Sequence, residues 1–201
     1  MIKAILFDAG GVFMEKLSRS DSPLVQGLSS AYHVRSEDII KSWSSHFDTH
    51  DTGQRSLAEH WTIIGKECSF TPDMAFVIEL YKKSFKEIPG TVDIVKRLKG
   101  RYLLVLANNE LEEVDNMRYE ALGYHDLFDR RFSSWMIGKR KPNRDYFEHI
   151  IAEIKLKPEE CIFIDDHEEN IATARALGIL TILFQDAEQL ETDLKALGVE
   201  F

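Results

Sequence analysis

Cysteine, membrane-length apolar runs and net positive charge are all in short supply in this chain. Only two cysteines occur among 201 residues, Cys68 and Cys161, far apart and in no C-x-x-C or ligand cluster. A disulfide framework is therefore not expected, and the expected location is a reducing cytoplasm. No apolar run approaches the ~20 residues a membrane span needs, and the apolar start is too short for a secretory segment and runs into Asp8. With 34 acidic against 25 basic side chains the formal charge is −9. That balance argues against a broad nucleic-acid surface, because a phosphate backbone needs a basic footprint. Five prolines and 11 glycines are too few for a fibrous or low-complexity chain, and a 44% hydrophobic share excludes disorder. What remains is a globular protein of one sizeable domain, or a core with a small addition.

Four short apolar runs stand out, at residues 2–7, 102–106, 161–164 and 179–184, with a weaker one at 131–135. The strong four are continuous instead of alternating, which is how parallel strands covered on both faces read. Helical spacing links Tyr146, Phe147, Ile150, Ile151 and Ile154, and again Ile171, Ala174 and Leu177 ahead of Gly178. Val92, Val95 and Leu98 lead to Gly100, and Leu190, Leu194 and Leu197 pattern the tail. Strands alternating with helices predict an α/β fold: a doubly wound, mostly parallel sheet with helices on both faces. Residues 15–86 break this rhythm. They offer helical patterns at 22–32, 36–47, 56–68 and 72–85 and no strand, so an inserted all-helical unit is expected there, with 1–14 and 87–201 forming the α/β core.

In such sheets ligands bind at the carboxyl ends of the strands. The first strong run is followed by Asp8, the second by Ala107-Asn108-Asn109, and the third by Asp165-Asp166-His167. Lys139, Arg140 and Lys141 follow the weak run. Any one of these acids alone reads as a cap or turn former. Their order after successive strands instead assembles Asp8, Asp165 and Asp166 at one edge, near Lys141. Three converging carboxylates suit a hard cation such as Mg²⁺, and a carboxylate beside a cation and a lysine can attack a phosphoryl group.

These segments resemble the haloacid dehalogenase-like hydrolase superfamily, in its phosphatase branch with a helical cap between the first and second motifs. The resemblance is carried by Ile5-Leu6-Phe7-Asp8-Ala9-Gly10-Gly11-Val12, Leu122-Gly123-Tyr124-His125-Asp126-Leu127-Phe128-Asp129, Gly138-Lys139-Arg140-Lys141-Pro142, Ile162-Phe163-Ile164-Asp165-Asp166-His167-Glu168-Glu169-Asn170-Ile171 and Ala174-Arg175-Ala176-Leu177-Gly178-Ile179. It implies a Rossmann-like core and a Mg²⁺-dependent phosphatase of a small phosphorylated metabolite, acting as a monomer or homodimer. Asp8 would become a transient aspartyl phosphate. Mg²⁺ would be held by Asp8, the Gly10 carbonyl and Asp166, with Asp165 helping through a water, and Lys141 would neutralise phosphoryl charge. Asn108 and the backbone amides that follow would cradle the phosphate.

Two positions depart from the family pattern. Gly10 stands where relatives place a second Asp, the general acid and base, whose loss costs typically ~10²–10⁴-fold. Ala107 stands where a Ser or Thr hydroxyl donates to the phosphate, and Asn109 is the candidate substitute. The expectation is a preference for phosphates with good leaving groups, such as glycosyl, acyl or aryl phosphates. The alternatives are a phosphate-ligand binder without turnover, or a 2-haloacid dehalogenase, whose relatives also lack the second Asp. In the helical unit, Arg55, His50 and His46 are the candidates to touch substrate. His46 and His50 are four apart, a spacing that can pair ligands on a helix, but no Glu follows His46 and Asp51 starts a turn. Trp43, Phe47, Trp61 and Phe76 read as apolar core, Lys139 and Arg140 as a solvated loop face, and His33, His60, His125 and His149 as structural or exposed.

Overall fold

The computed structural model describes all residues except Phe47, Asp48 and His50, together with the side chain of His125. The expectations for His50, Phe47 and the His125 ring thus lie outside the described residues. Five parallel strands, β1 (Ala4–Phe7), β2 (Leu103–Asn108), β3 (Arg130–Ser133), β4 (Cys161–Asp165) and β5 (Leu180–Leu183), form one sheet in the order β3-β2-β1-β4-β5. Alternate residues cover its two faces. Ile5, Phe7, Leu104, Leu106, Ile162 and Ile164 share one apolar layer with Val92, Val95, Leu190 and Leu194. Ala4, Leu6, Val105, Ala107 and Phe163 share the other with Tyr146, Phe147, Ile150, Ile171 and Ala174. Burial on both faces is why these strands read as continuous apolar runs.

Ten helices are described: α1 (Pro23–Tyr32), α2 (Ser36–Ser44), α3 (Leu57–Glu67), α4 (Met74–Ser84), α5 (Pro89–Leu98), α6 (Glu112–Ala121), α7 (Ser134–Ile137), α8 (Arg144–Ile154), α9 (Glu168–Ala176) and α10 (Ala187–Ala196). Their starts follow capping chemistry. Ser22 accepts from the Val25 amide at 3.2 Å, Asp186 accepts from the Gln189 amide at 2.9 Å, and Ser56 and Glu59 form a reciprocal capping box. The weak fifth run stops as a strand at Ser133. Ser134–Ile137 then turns into α7, so Trp135 is helical, and Gly138 ends that turn in the left-handed region (φ 65°). Helix α6 was not legible, because the charged stretch Glu112–Ala121 carries little apolar patterning; its Val114 is buried against other helices.

Helices α1–α4 all lie between β1 and α5 and pack around Trp43, Trp61 and Tyr81, sharing that cluster with Leu111 and Val114 of the α6 region. The Trp61 indole donates to the Tyr81 hydroxyl at 3.1 Å. The chain leaves and re-enters the α/β layer through one hydrogen-bonded neck: the Glu15 amide donates to the Lys86 carbonyl (2.9 Å) and the Ile88 amide to the Phe13 carbonyl (3.0 Å). Among the described residues, no helix is long and apolar enough to cross a membrane.

Candidate active site

The chain runs from β1 outward to β2 and β3, then crosses back to β4 and β5, so the carboxyl ends of β1, β2 and β4 meet where the strand order reverses. Phe7 pairs with Ile164, which places Asp8 and Asp165 side by side one residue further on. The Asp8 amide donates to the Ile164 carbonyl at 2.9 Å. Lys141, on the loop after α7, reaches in between: its Nζ lies 2.7 Å from Asp8 Oδ1 and 2.7 Å from Asp165 Oδ2. The ammonium is buried, and its backbone is clamped on both sides by Asn109, which accepts from the Lys141 amide (2.9 Å) and donates to its carbonyl (2.8 Å).

Carboxylate oxygens of Asp8, Asp165 and Asp166 lie within 4.8 Å of one another. Their surroundings differ. Asp165 also accepts from the His167 amide (2.8 Å) and from Asn170 Nδ2 (3.0 and 2.9 Å), so its acceptors are occupied. Asp166 Oδ2 pairs with Lys16, while its buried Oδ1 accepts no hydrogen bond among the described residues. Burial pushes the Asp8 carboxyl up from its ordinary 3.8 to about 6, with Lys141 pulling it down and Asp165 pushing it further up. For Lys141, burial works against the charge, but Asp165 and Asp8 outweigh it and hold the ammonium above its ordinary value.

A cleft of about 500 Å³ opens over these groups, lined among others by Asp8, Gly10, Lys16, Asn109, Lys141 and His167. A Cβ at position 10 would meet nothing within 4 Å. The helical layer reaches the same cleft through Trp43, Ser44 and Asp51. Asp51 accepts from Arg140 at 3.2 Å, so Arg140 is drawn into a mostly buried pair and not left on a solvated loop face.

Other sequence candidates sit elsewhere. Arg55 does not line the cleft. His46 binds Glu67 at 2.9 Å within the helical layer. Ala107 is buried in the sheet's apolar layer, and the Asn108 amide is turned from the cleft into a second polar cluster. There Asn108 donates to Asp115 (3.1 Å) and accepts from Ser133 (2.7 Å). Asp115 is fully buried and also accepts from Ser133 (2.5 Å), Trp135 (3.0 Å) and Arg118 (2.9 Å), with Arg131 at 3.5 Å. Burial opposes its charge, yet Arg118, Ser133, Trp135 and Arg131 overcome that and lower its pKa. Sequence reasoning missed the Asp115 centre of this cluster and Lys16. Asp115 sits in a charged stretch whose partners Ser133 and Trp135 come from the next strand and helix, and the Asp166 partner of Lys16 lies far along the chain.

Comparison with known proteins agrees with the geometry. Residues 2–178 match the family of haloacid dehalogenase-like hydrolases. The chain is 24% identical over 190 residues to a D-ribitol-5-phosphate phosphatase of Bacteroides thetaiotaomicron, covering 90% of this chain and 91% of that protein. It is 32% identical over 95 residues to a sesquiterpene phosphatase of Aspergillus oryzae, covering 47% of this chain and 48% of that one. It spans 36% to 58% of the length of the first curated relatives it matches. A crystal structure of a HAD family enzyme from Bacteroides thetaiotaomicron superposes with a TM-score of 0.80 at 20% identity, covering 99% of both chains. The chain belongs to the haloacid dehalogenase-like hydrolase family.

Proposed function

We propose that the chain is a Mg²⁺-dependent phosphatase of a small phosphorylated metabolite, working through an aspartyl phosphate on Asp8, with residues 15–86 as its cap. The observation that carries this reading is the asymmetry of the three carboxylates. Asp8 lines the cleft and Asp166 keeps a buried oxygen that accepts no hydrogen bond among the described residues, whereas Asp165 is consumed in holding Lys141. A buried Asp8 with its pKa raised to about 6 is short of positive charge, and among the described residues Asp166 Oδ1 accepts no hydrogen bond, the His167 ring standing off at 3.8 Å. An oxygen-donor cation fits both needs. Asp8, the Gly10 carbonyl and Asp166 would hold it, with Asp165 behind. Bound there, Mg²⁺ supplies charge neutralisation for the phosphoryl group.

The chain's own residues then do the following. An Asp8 oxygen forms a bond to phosphorus as the ester oxygen departs. Lys141 keeps Asp8 oriented and neutralises phosphoryl oxygens, itself fixed by Asp165 and Asn109. Water later cleaves the acyl phosphate and restores Asp8. Gly10 offers no proton to the leaving oxygen, which favours good leaving groups. The relatives that act as phosphatases, and a neighbouring HAD family structure in complex with magnesium and inorganic phosphate, support the same chemistry.

Gly10, which lines the cleft and brings no acid to it, favours a second reading, a binder of phosphate ligands without turnover. Hydrolysis of p-nitrophenyl phosphate and a metabolite panel, in Mg²⁺ and in EDTA, separates the two. Metal-dependent turnover that falls at least about 10³-fold in Asp8→Asn is expected. Phosphate binding with no turnover on any substrate would favour the binder.

A further inference from the structure

Lys141 compensates Asp8 and Asp165, but the third carboxylate has a different partner. After β1 the chain turns back on itself: the Gly11 amide donates to the Met14 carbonyl (2.6 Å), and the Phe13 and Met14 amides donate to the Ala9 carbonyl (2.9 Å each). This reversal delivers Lys16 over Gly11. Its Nζ pairs with Asp166 Oδ2 and lies 3.1 Å from His167 Nε2. A Cβ at Gly11 would fall 2.5 Å from Lys16 Cε and against the Asp166 carboxylate, and Gly11 has φ +92°. Glycine is therefore favoured by the backbone and by the Asp166 carboxylate packed against it. The Lys16 side chain is one-third exposed, so it has a way out towards solvent.

We propose that Lys16 is a tethered cation that competes with the divalent metal for Asp166. The proposal rests on the reading that these carboxylates hold Mg²⁺. A metal on Asp166 Oδ1 and the Lys16 ammonium on Oδ2 would repel each other across one carboxylate, so metal entry loosens and displaces the ammonium. The released side chain then projects into the cleft beside Glu15 and His167, which line it. The apparent metal affinity is thereby lowered by the share of molecules in which Lys16 is docked. For a partly exposed pair the expected penalty is on the order of tenfold or less.

The test is calorimetric titration of Mg²⁺ into the full chain after EDTA treatment, with wild type, Lys16→Met, Lys16→Gln and Lys16→Arg. Both neutral variants are expected to bind Mg²⁺ several-fold to about tenfold tighter, and Lys16→Arg to stay near wild type. Thermal melts of the same proteins give a second readout. The Mg²⁺-induced rise in Tm is expected to be larger in the neutral variants, because their metal-free forms leave Asp166 without its partner. Equal or weaker affinity in both neutral variants, with wild type still binding, overturns the role of Lys16 alone. No Mg²⁺ binding to any of the four overturns it together with the magnesium reading.

Discussion

Two buried aspartates near neighbouring strand ends meet opposite fates. Asp115 gathers Arg118, Ser133, Trp135 and Asn108, with Arg131 close by, and its pKa falls. Asp8 has one lysine shared with a second acid, burial wins, and its pKa rises to about 6. The first is a closed network that ties β2, β3, α6 and α7 together. The second is left short of positive charge at the mouth of a cleft. A buried acid that is saturated reads as architecture, and one that is under-compensated reads as chemistry awaiting a partner.

Removing the saturated acid is expected to have the largest effect. Asp115→Ala removes the carboxylate that Arg118 and Arg131 share, leaving buried Arg118 with Glu110 as its remaining acid. A loss of about 3–5 kcal/mol in denaturant unfolding is expected, as for breaking one side of a buried ion pair. A loss below about 1 kcal/mol would show that the network carries little of the fold.

A smaller effect, of opposite sign, is expected at Asp8. Its folded pKa lies above its ordinary value, so its contribution to stability is full below about pH 4 and is lost as pH rises through about 6. In EDTA, Asp8→Asn should match wild type near pH 4 and exceed it by about 1–3 kcal/mol at pH 8. Urea melts across that range check the sign. Asp115 behaves oppositely, since its lowered pKa gives stability above pH 3.8 that is lost only as pH falls further. A mutant that is less stable than wild type at pH 8 would mean that Asp8 is as well paired as Asp115.

The same contrast separates what is legible in the sequence from what is not. The sheet was legible because two-sided burial imposes continuous apolar runs, and Asp8, Asp165, Asp166 and Lys141 were legible because each follows a strand or a fixed motif. The Asp115 network was not, since Asp115, Arg118 and Arg131 belong to charged stretches whose pairing only the third dimension reveals. Asn108 shows the limit most clearly: its position at the end of β2 was apparent, but not that Ser133 and Asp115 turn its amide away from the cleft. Lys16 and Arg140 were hidden for the same reason, their carboxylate partners lying far along the chain.

The proposed chemistry stands or falls on Asp8 acting as a nucleophile. Because Gly10 provides no base for the attacking water, the acyl phosphate should break down slowly enough to trap. Acid quenching during turnover of an aryl phosphate with Mg²⁺, followed by peptide mass analysis, tests this directly. A phosphoryl adduct on the peptide bearing Asp8, absent from Asp8→Asn, is the expected result. Continued product release with no adduct at any time point, or an adduct on another residue, would contradict it.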